Sequence, residues 1–575
     1  MGQTSSAKQT TKILSYAICF ASAFWHLDSA TAQNFDPLTP EPITPKPSPP
    51  LPPAVNPWRT IPAPPIPESV RDIPGTITVK QFEFVGNTVF SSKELHQEIA
   101  NFTQQPVSFA QLVEAANQIT KLYVDQGYIT TGAYVPEQNL TSGKVKIQIV
   151  EGSLASIEVD VTGRLRESYI RDRLTQKTTT PLNINQLQSS LQLLQLNPLI
   201  DSLNAELSAG ITPGTNILNV AATSADTFVL ETKLNNNRNL SIGSFEGGVQ
   251  LEEGNLLGIG DRFYLAYDHT AGSNQYGGGY TLPLNTSGGS LGFNLRWGQN
   301  EIIQSSFEKI DLDINSRNYD LTWRQPLLQR ATPTVSQELA VNITAGRRAS
   351  DSTIMNEPQP LSPGANEEGE IRTSVVSFGQ EWLQRNRRQV ISASSQFNLG
   401  VDVLNATILP DEPDSQFFSW RGQFAYLRSL GKTQQQFGST LLLRSELQLA
   451  SDPLVSTEQF SLGGATTVRG YRQDALLTDS GFFATAEFRL PIARSAATNT
   501  TLQFAPFVDF GTGWNHDGEK AEFTTLIGTG FGLLLQTPER FSGRVDWGIP
   551  LLNHDDQGGS LQENGVYLQL QYDLF

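Results

Sequence analysis

From about residue 227 onward the chain is built on a period of two, and its polar phase carries charge. In Leu291-Gly-Phe293-Asn-Leu295-Arg-Trp297 every odd residue is apolar and every even one is polar or glycine. Phe263, Leu265 and Tyr267 behave likewise, as do Phe397, Leu399, Val401 and Val403. Val545, Trp547 and Ile549 alternate with Arg544 and Asp546 in the opposite phase. Strand side chains point alternately to two faces, so each segment presents one apolar face and one wet face. Two architectures tolerate charge there. A soluble sandwich turns that face to bulk water, and a membrane barrel turns it to its lumen.

At 575 residues the chain exceeds one ordinary core, so several domains are expected. Only 38% of residues are apolar, yet there are 47 Gly, 30 Phe, 14 Tyr and 8 Trp, which suits many short strands. A net charge of −17 opposes binding to nucleic-acid phosphates. No stretch reaches the roughly 18 consecutive apolar residues of a membrane-spanning helix, whereas a β-barrel needs none.

Residues 1–32 have the form of a secretory signal. Lys8 and Lys12 precede an apolar run from Ile13 to Trp25, and Ala30-Thr31-Ala32 offers a cleavage site before Gln33. The single cysteine, Cys19, falls inside, so the exported chain is expected to hold no disulfide. Residues 33–75 are dominated by proline and read as an extended spacer, or else as a ligand for a proline-reading module or for peptidoglycan.

Residues 76–152 and 153–226 then repeat one order, β-α-α-β-β. In the first, Phe82 and Phe84 alternate before Gly86-Asn87. Ser91/Glu94 and Ser108/Gln111 are capping boxes, and the second opens a helix with Leu112, Ala116, Ile119 and Tyr123 on one face. Gly127 ends that helix, and strands are expected over 129–135 and 144–150. In the second, a strand with Ile157, Val159 and Val161 precedes two helices, one with Ile170 and Leu174, the other with Leu187, Leu191 and Leu194. Strands near 200–209 and 216–222 complete it.

Across 227–575 sixteen strands are expected, starting near 228, 244, 261, 275, 289, 315, 337, 372, 388, 416, 435, 480, 501, 524, 541 and 565. Sixteen strands enclose enough width for an aqueous channel. Long connections follow odd strands, at 298–314, 348–371, 404–415, 451–479, 512–523 and 551–564, and short ones follow even strands. That asymmetry is the outer-membrane barrel pattern, with the long loops outside the cell. Loop 451–479 is the sixth external one and far exceeds the usual connection length.

This loop carries Val468-Arg469-Gly470-Tyr471 within Ser461–Tyr471. It resembles the loop-six signature of two-partner secretion transporters, in the superfamily of outer-membrane assembly factors. Phe507-Val508-Asp509-Phe510-Gly511 resembles that superfamily's Phe-x-Asp-x-Gly motif on strand thirteen. The phase is readable without the family. Leu502, Phe504, Val508 and Phe510 form the lipid-facing set, so Phe507, Asp509 and Gly511 face the lumen. The two tandem modules look like POTRA domains, with Tyr123, Gly127-Tyr128 and Gly152 where that family places them.

The resemblance implies an all-β transmembrane 16-stranded antiparallel barrel preceded by two small α+β POTRA domains. It also implies that loop six folds back into the barrel, with Arg469 meeting Asp509, Gly470 permitting the tight tip and Tyr471 packing on the wall. The implied function is export of a large secreted protein cargo, captured by the POTRA domains in the periplasm and passed through a monomeric barrel in outer-membrane lipid. No nucleotide, nucleic acid, cofactor, metal or covalent catalysis is implied. A barrel-assembly factor and a passive porin are the alternative readings; two modules favour secretion over the first, and the modules with loop six disfavour the second. Phe575 lies out of phase with Val566, Leu568, Leu570, Tyr572 and Leu574, a departure from the usual barrel terminus. The histidines at 26, 96, 269, 516 and 554 have no metal-ligand spacing, and Gly528-Thr-Gly530-Phe-Gly532 lies within a strand instead of opening a helix.

Overall fold

The computed structural model describes residues 75–304, 311–410, 413–431, 438–495, 497–516, 524–537, 540–552 and 559–574. The expected signal segment with Cys19, the proline-rich segment, His26, His554 and Phe575 lie outside these described residues. The chain forms two compact units that meet in sequence at Ser224 and Ala225.

The first unit contains both modules. In the first, strand Lys144–Val150 is the middle of a three-stranded sheet, parallel to Gln81–Val85 and antiparallel to Gly132–Tyr134. Helices Ser92–Glu98 and Phe109–Asp125 both start on completed capping boxes, at Ser91 and Ser108. Their apolar faces bury Leu95, Leu112, Ile119 and Tyr123 against Phe82, Val145 and Ile147. The strand expected over 129–135 shortens to Gly132–Tyr134, because Tyr128 and Thr131 spend their N–H groups on turn bonds to Tyr123 and Tyr128. A short pairing of Thr76–Thr78 with Pro106–Ser108 is an addition that periodicity did not signal.

The second module repeats the plan, with Thr215–Ser224 between Ser153–Thr162 and Ile200–Ala209. Helices Glu167–Lys177 and Ile184–Gln195 bury Ile170, Leu174, Leu187 and Leu191 against them. The two modules are stitched at helix ends. The N–H of Ile184 donates to the Gly127 carbonyl at 2.9 Å, that of Leu182 to Gly152 at 2.7 Å, and the Asn183 amide to Gln126 at 3.1 Å. Terminal carbonyls of one helix thereby satisfy the start of another. Glu151, at the joint, accepts from the Thr88 and Val89 N–H groups, the Thr88 hydroxyl and the Tyr123 hydroxyl.

The second unit is a closed antiparallel barrel of sixteen strands. Strands one to five are Phe228–Asn235, Glu246–Glu253, Arg262–Thr270, Ser273–Pro283 and Ser290–Glu301. Strands six to ten are Leu312–Ala331, Val335–Ile354, Glu370–Asn386, Gln389–Gly400 and Phe418–Ser429. Strands eleven to sixteen are Thr440–Ala450, Ser480–Ser495, Thr500–Trp514, Thr525–Gln536, Phe541–Pro550 and Val566–Asp573. Strand sixteen pairs with strand one from Gln569↔Asn235 to Asp573↔Glu231, closing the wall. Strand eleven is described from Thr440, later than the onset near 435 expected from sequence, and Phe437 lies outside the described residues. Strands six and seven run 20 residues each. The connection expected over 348–371 therefore narrows to 355–369, and it holds a two-residue strand, Glu357–Pro358.

Burial is inverted relative to a soluble sandwich. Phe293, Trp297, Leu265 and Trp547 stand 45–50% exposed on the outside, whereas Asp320, Arg421, Glu487 and Asp509 are buried inside. An apolar exterior around a charged interior is stable only in lipid. The lumen has the width expected of sixteen strands, and it is partly filled. Its charges pair across strands, as Arg324 does with Glu338 at 2.7 Å and Glu381 at 2.9 Å, and the sixth external loop is folded into it. Strand count sets the width of a barrel, and this loop fills part of it.

Candidate functional site: loop six on the lumenal wall

Loop six begins as a small hairpin of its own, Phe460–Leu462 against Leu476–Thr478. Its apolar side chains Phe460, Leu462, Val468, Tyr471 and Leu476 pack on the inward-facing Phe483 of strand twelve and Leu526 of strand fourteen. The turn is tightened from within, since the Thr467 hydroxyl donates to the Gly463 carbonyl at 3.0 Å and the Gly464 N–H to the Tyr471 carbonyl at 3.0 Å. This local order presents residues 468–471 to strands thirteen to sixteen.

Arg469 is 4% exposed and Asp509 is fully buried. Arg469 Nε donates to Asp509 Oδ2 at 2.7 Å and Nη2 to Oδ1 at 2.8 Å, while the Arg469 backbone N–H reaches Oδ2 at 3.1 Å. Nη1 donates to Glu487 Oε2 at 2.8 Å, and Nη2 also reaches the Thr485 hydroxyl at 3.3 Å. The Phe507 ring lies under the guanidinium, 3.3 Å from its carbon to the ring centroid. A planar fork with five donors suits this crowded set, and a point-charge ammonium does not.

The remaining motif residues make room. Gly470 has φ 105°, and a Cβ there would stand 2.8 Å from the Pro550 nitrogen. A Cβ on Gly511 would stand 2.8 Å from Val468 Cγ2, so that glycine is the seat of Val468. The Tyr471 hydroxyl lies 3.0 and 3.1 Å from the carbonyls of Ile527 and Leu552. The structure thus brings Val468, Arg469, Gly470 and Tyr471 together with Phe507, Asp509 and Gly511.

Several contributors escaped the sequence reading. Glu487 on strand twelve accepts from Arg469, from Arg489 Nε at 2.7 Å and from Arg544 Nη2 at 2.6 Å, and Arg544 also holds Asp546. Three guanidinium groups and three carboxylates therefore interlock. The Tyr567 hydroxyl accepts from the Gly470 N–H at 2.9 Å and donates to the Tyr471 carbonyl. Gly528 and Gly548 lie where a Cβ would come within 2.0 Å of the Arg469 carbonyl oxygen and 2.4 Å of the Gly470 nitrogen. The lumenal phase of Arg544 and Asp546 was a usable signal, and so was the alternation of glycine at 528–532. Neither names a partner.

His269 Nδ1 lies 3.0 Å from the Asn274 amide oxygen and its ring stacks on Tyr267. Among the described residues no group of His, Cys, Asp or Glu is placed to hold a metal ion.

A charged-lumen barrel with an external loop docked inside it and small α+β modules preceding it in sequence defines an outer-membrane β-barrel protein with POTRA modules. The model of the haemolysin secretion/activation protein family ShlB/FhaC/HecB matches residues 214–535, and that of the ShlB-type POTRA domain matches residues 77–152. The chain belongs to the haemolysin secretion/activation family. It is similar to the outer membrane transporter CdiB of Dickeya dadantii strain 3937, 21% identical over 489 residues, which are 82% of this chain and 83% of that one. It is also similar to the heme/hemopexin transporter protein HuxB of Haemophilus influenzae strain 86-028NP, 22% identical over 497 residues, 82% of each chain. Among solved structures, CdiB from Escherichia coli shares the fold with a TM-score of 0.66 at 19% identity, covering 88% of this chain and 93% of that one. The protein is therefore a non-catalytic two-partner secretion transporter. Its barrel lies in the outer membrane, its POTRA domains face the periplasm, and it exports a large partner protein.

Proposed function

We propose that Val468, Arg469, Gly470 and Tyr471, with Phe507, Asp509 and Gly511, form the latch on which export depends. The observation that carries this is the two-pronged hydrogen bonding between Arg469 and a fully buried Asp509. A desolvated carboxylate with so few other donors makes the docked loop a defined state. The barrel acts as a monomer on one large exoprotein, whose extended N-terminal region adds a strand to a module sheet. The outer strands Ser153–Thr162 and Ile200–Ala209 of the second module, ten residues each, offer the longest module edges for that pairing. In this reading residues 1–32 are removed, 33–75 act as a spacer, 76–152 and 153–226 capture cargo, and 227–575 convey it. The direct test compares exported and retained cargo for wild type and Arg469→Ala at equal barrel abundance. Normal export by the variant would remove the latch from the mechanism.

A further inference from the structure

Loop six touches the wall in a second place, far from the tip. Its stem, residues 454–458, lies against the lumenal side of strands seven and eight. Val455 is fully buried with Ala365 of the external 355–369 loop and Ile371 of strand eight. Leu454 packs with Val375 of strand eight and with Phe417, next to strand ten. Glu458 closes the stem with an ion pair to Arg348 of strand seven, both side chains about nine-tenths buried. Gln448 of strand eleven donates 3.0 Å bonds to the carbonyls of Glu458 and Asp479, which ties the two legs of the loop together. Loop six thus bridges the lumen, with its stem on strands seven and eight and its tip on strands twelve to sixteen.

The two attachments differ in how many bonds release must break. Withdrawing the tip breaks four side-chain hydrogen bonds of Arg469, two to Asp509 and one each to Glu487 and Thr485, and the bond from its backbone N–H to Asp509. Withdrawing the stem breaks one ion pair, Arg348 with Glu458, and the bond from Gln448 to the Glu458 carbonyl. An attachment held by one charged pair is released more readily than one held by several charge-assisted hydrogen bonds. Leu454 and Val455 are apolar contacts that the side chains of an extended polypeptide can replace in kind.

We infer that residues 454–458 are the outer stop of the pore, shut by the Arg348–Glu458 pair and by Leu454 and Val455, and that departing cargo displaces this stem while the Arg469 tip stays docked. The inference rests on the secretion reading for its cargo, but its test does not use cargo.

The experiment reconstitutes the full chain in planar bilayers and records single channels, with heat-modifiable mobility reporting the folded barrel. Glu458→Gln and Arg348→Gln are expected to raise open-state occupancy about tenfold, the change that follows loss of one charge-assisted hydrogen bond of ordinary strength. Glu458→Lys sets a cation against Arg348 and raises it further. Leu454→Ala with Val455→Ala, in a loop outside the strand ladder, raises it without altering charge. Hydrogen exchange over 468–471 stays as slow as in wild type in all of them. Wild-type occupancy in the charge variants and in the apolar pair overturns the inference, and so does a tip that loses protection along with the stem. Failure here concerns the stop alone, whereas normal export by Arg469→Ala concerns the latch alone.

Discussion

Arg469 and Asp509, 40 residues apart in sequence, are joined by a two-pronged hydrogen bond inside the barrel, with Nε–Oδ2 at 2.7 Å and Nη2–Oδ1 at 2.8 Å. Glu487 takes a third donor of the same guanidinium, so the pair is one edge of a larger charged network.

That network makes the two partners unequal. Arg469→Ala strands a fully buried carboxylate, a loss on the order of 3–5 kcal/mol, and is expected to abolish or strongly reduce export. Asp509→Ala leaves Arg469 on Glu487 and is expected to retain part of it. The double substitution should be little worse than Arg469→Ala, because the two losses share one interaction. Secreted cargo, at equal heat-modifiable barrel, measures all three; strictly additive losses would separate the two residues.

Gly528 should not accept a methyl group. A Cβ there lies 2.0 Å from the Arg469 carbonyl oxygen, which is backbone and cannot swing aside. Gly528→Ala is expected to cost about 1–3 kcal/mol by overpacking and to push the tip off the wall. Faster hydrogen exchange over 468–471 in a correctly folded barrel is the expected signature.

The first module should weaken in acid. Burial raises the Glu151 pKa, but hydrogen bonds from Thr88, Tyr123 and Val89 outweigh it and hold the carboxyl below its ordinary value. A carboxyl depressed on folding contributes stability above its ordinary pKa and loses it as pH falls through the lowered one. Glu151→Gln should therefore destabilise the 76–226 fragment by about 1–2 kcal/mol at neutral pH. The gap in melting temperature should close below about pH 4. A gap that persists unchanged at low pH would show that the charge is not what matters.

Binding of the cargo's N-terminal region to the same fragment should depend weakly on salt. Strand addition draws its affinity from backbone hydrogen bonds, and an acidic chain offers little long-range attraction. Titrations at low and moderate ionic strength measure it. A steep loss with salt would point to ionic capture.

Much of this protein was legible in one dimension. Period-two alternation from 227 onward located sixteen strands near their observed starts, because lipid outside and charge inside must alternate along every strand. Two capping boxes placed the helices of the first module, and alternation put Asp509 on the lumenal face. Phase assigns a residue to a face and does not say which residue it meets there. Glu487, Arg544 and Asp546 lie on strands twelve and fifteen, and they converge on Arg469 only when the barrel closes and loop six folds inward. Gly528 and Gly548 read as weak points of two strands until the backbone of the tip is laid against them. The pairing of Glu458 with Arg348, 110 residues earlier, joins a loop to a wall that nothing local connects. Local chemistry determined the elements and their faces, and closure of the barrel around its own loop decided which charges became partners.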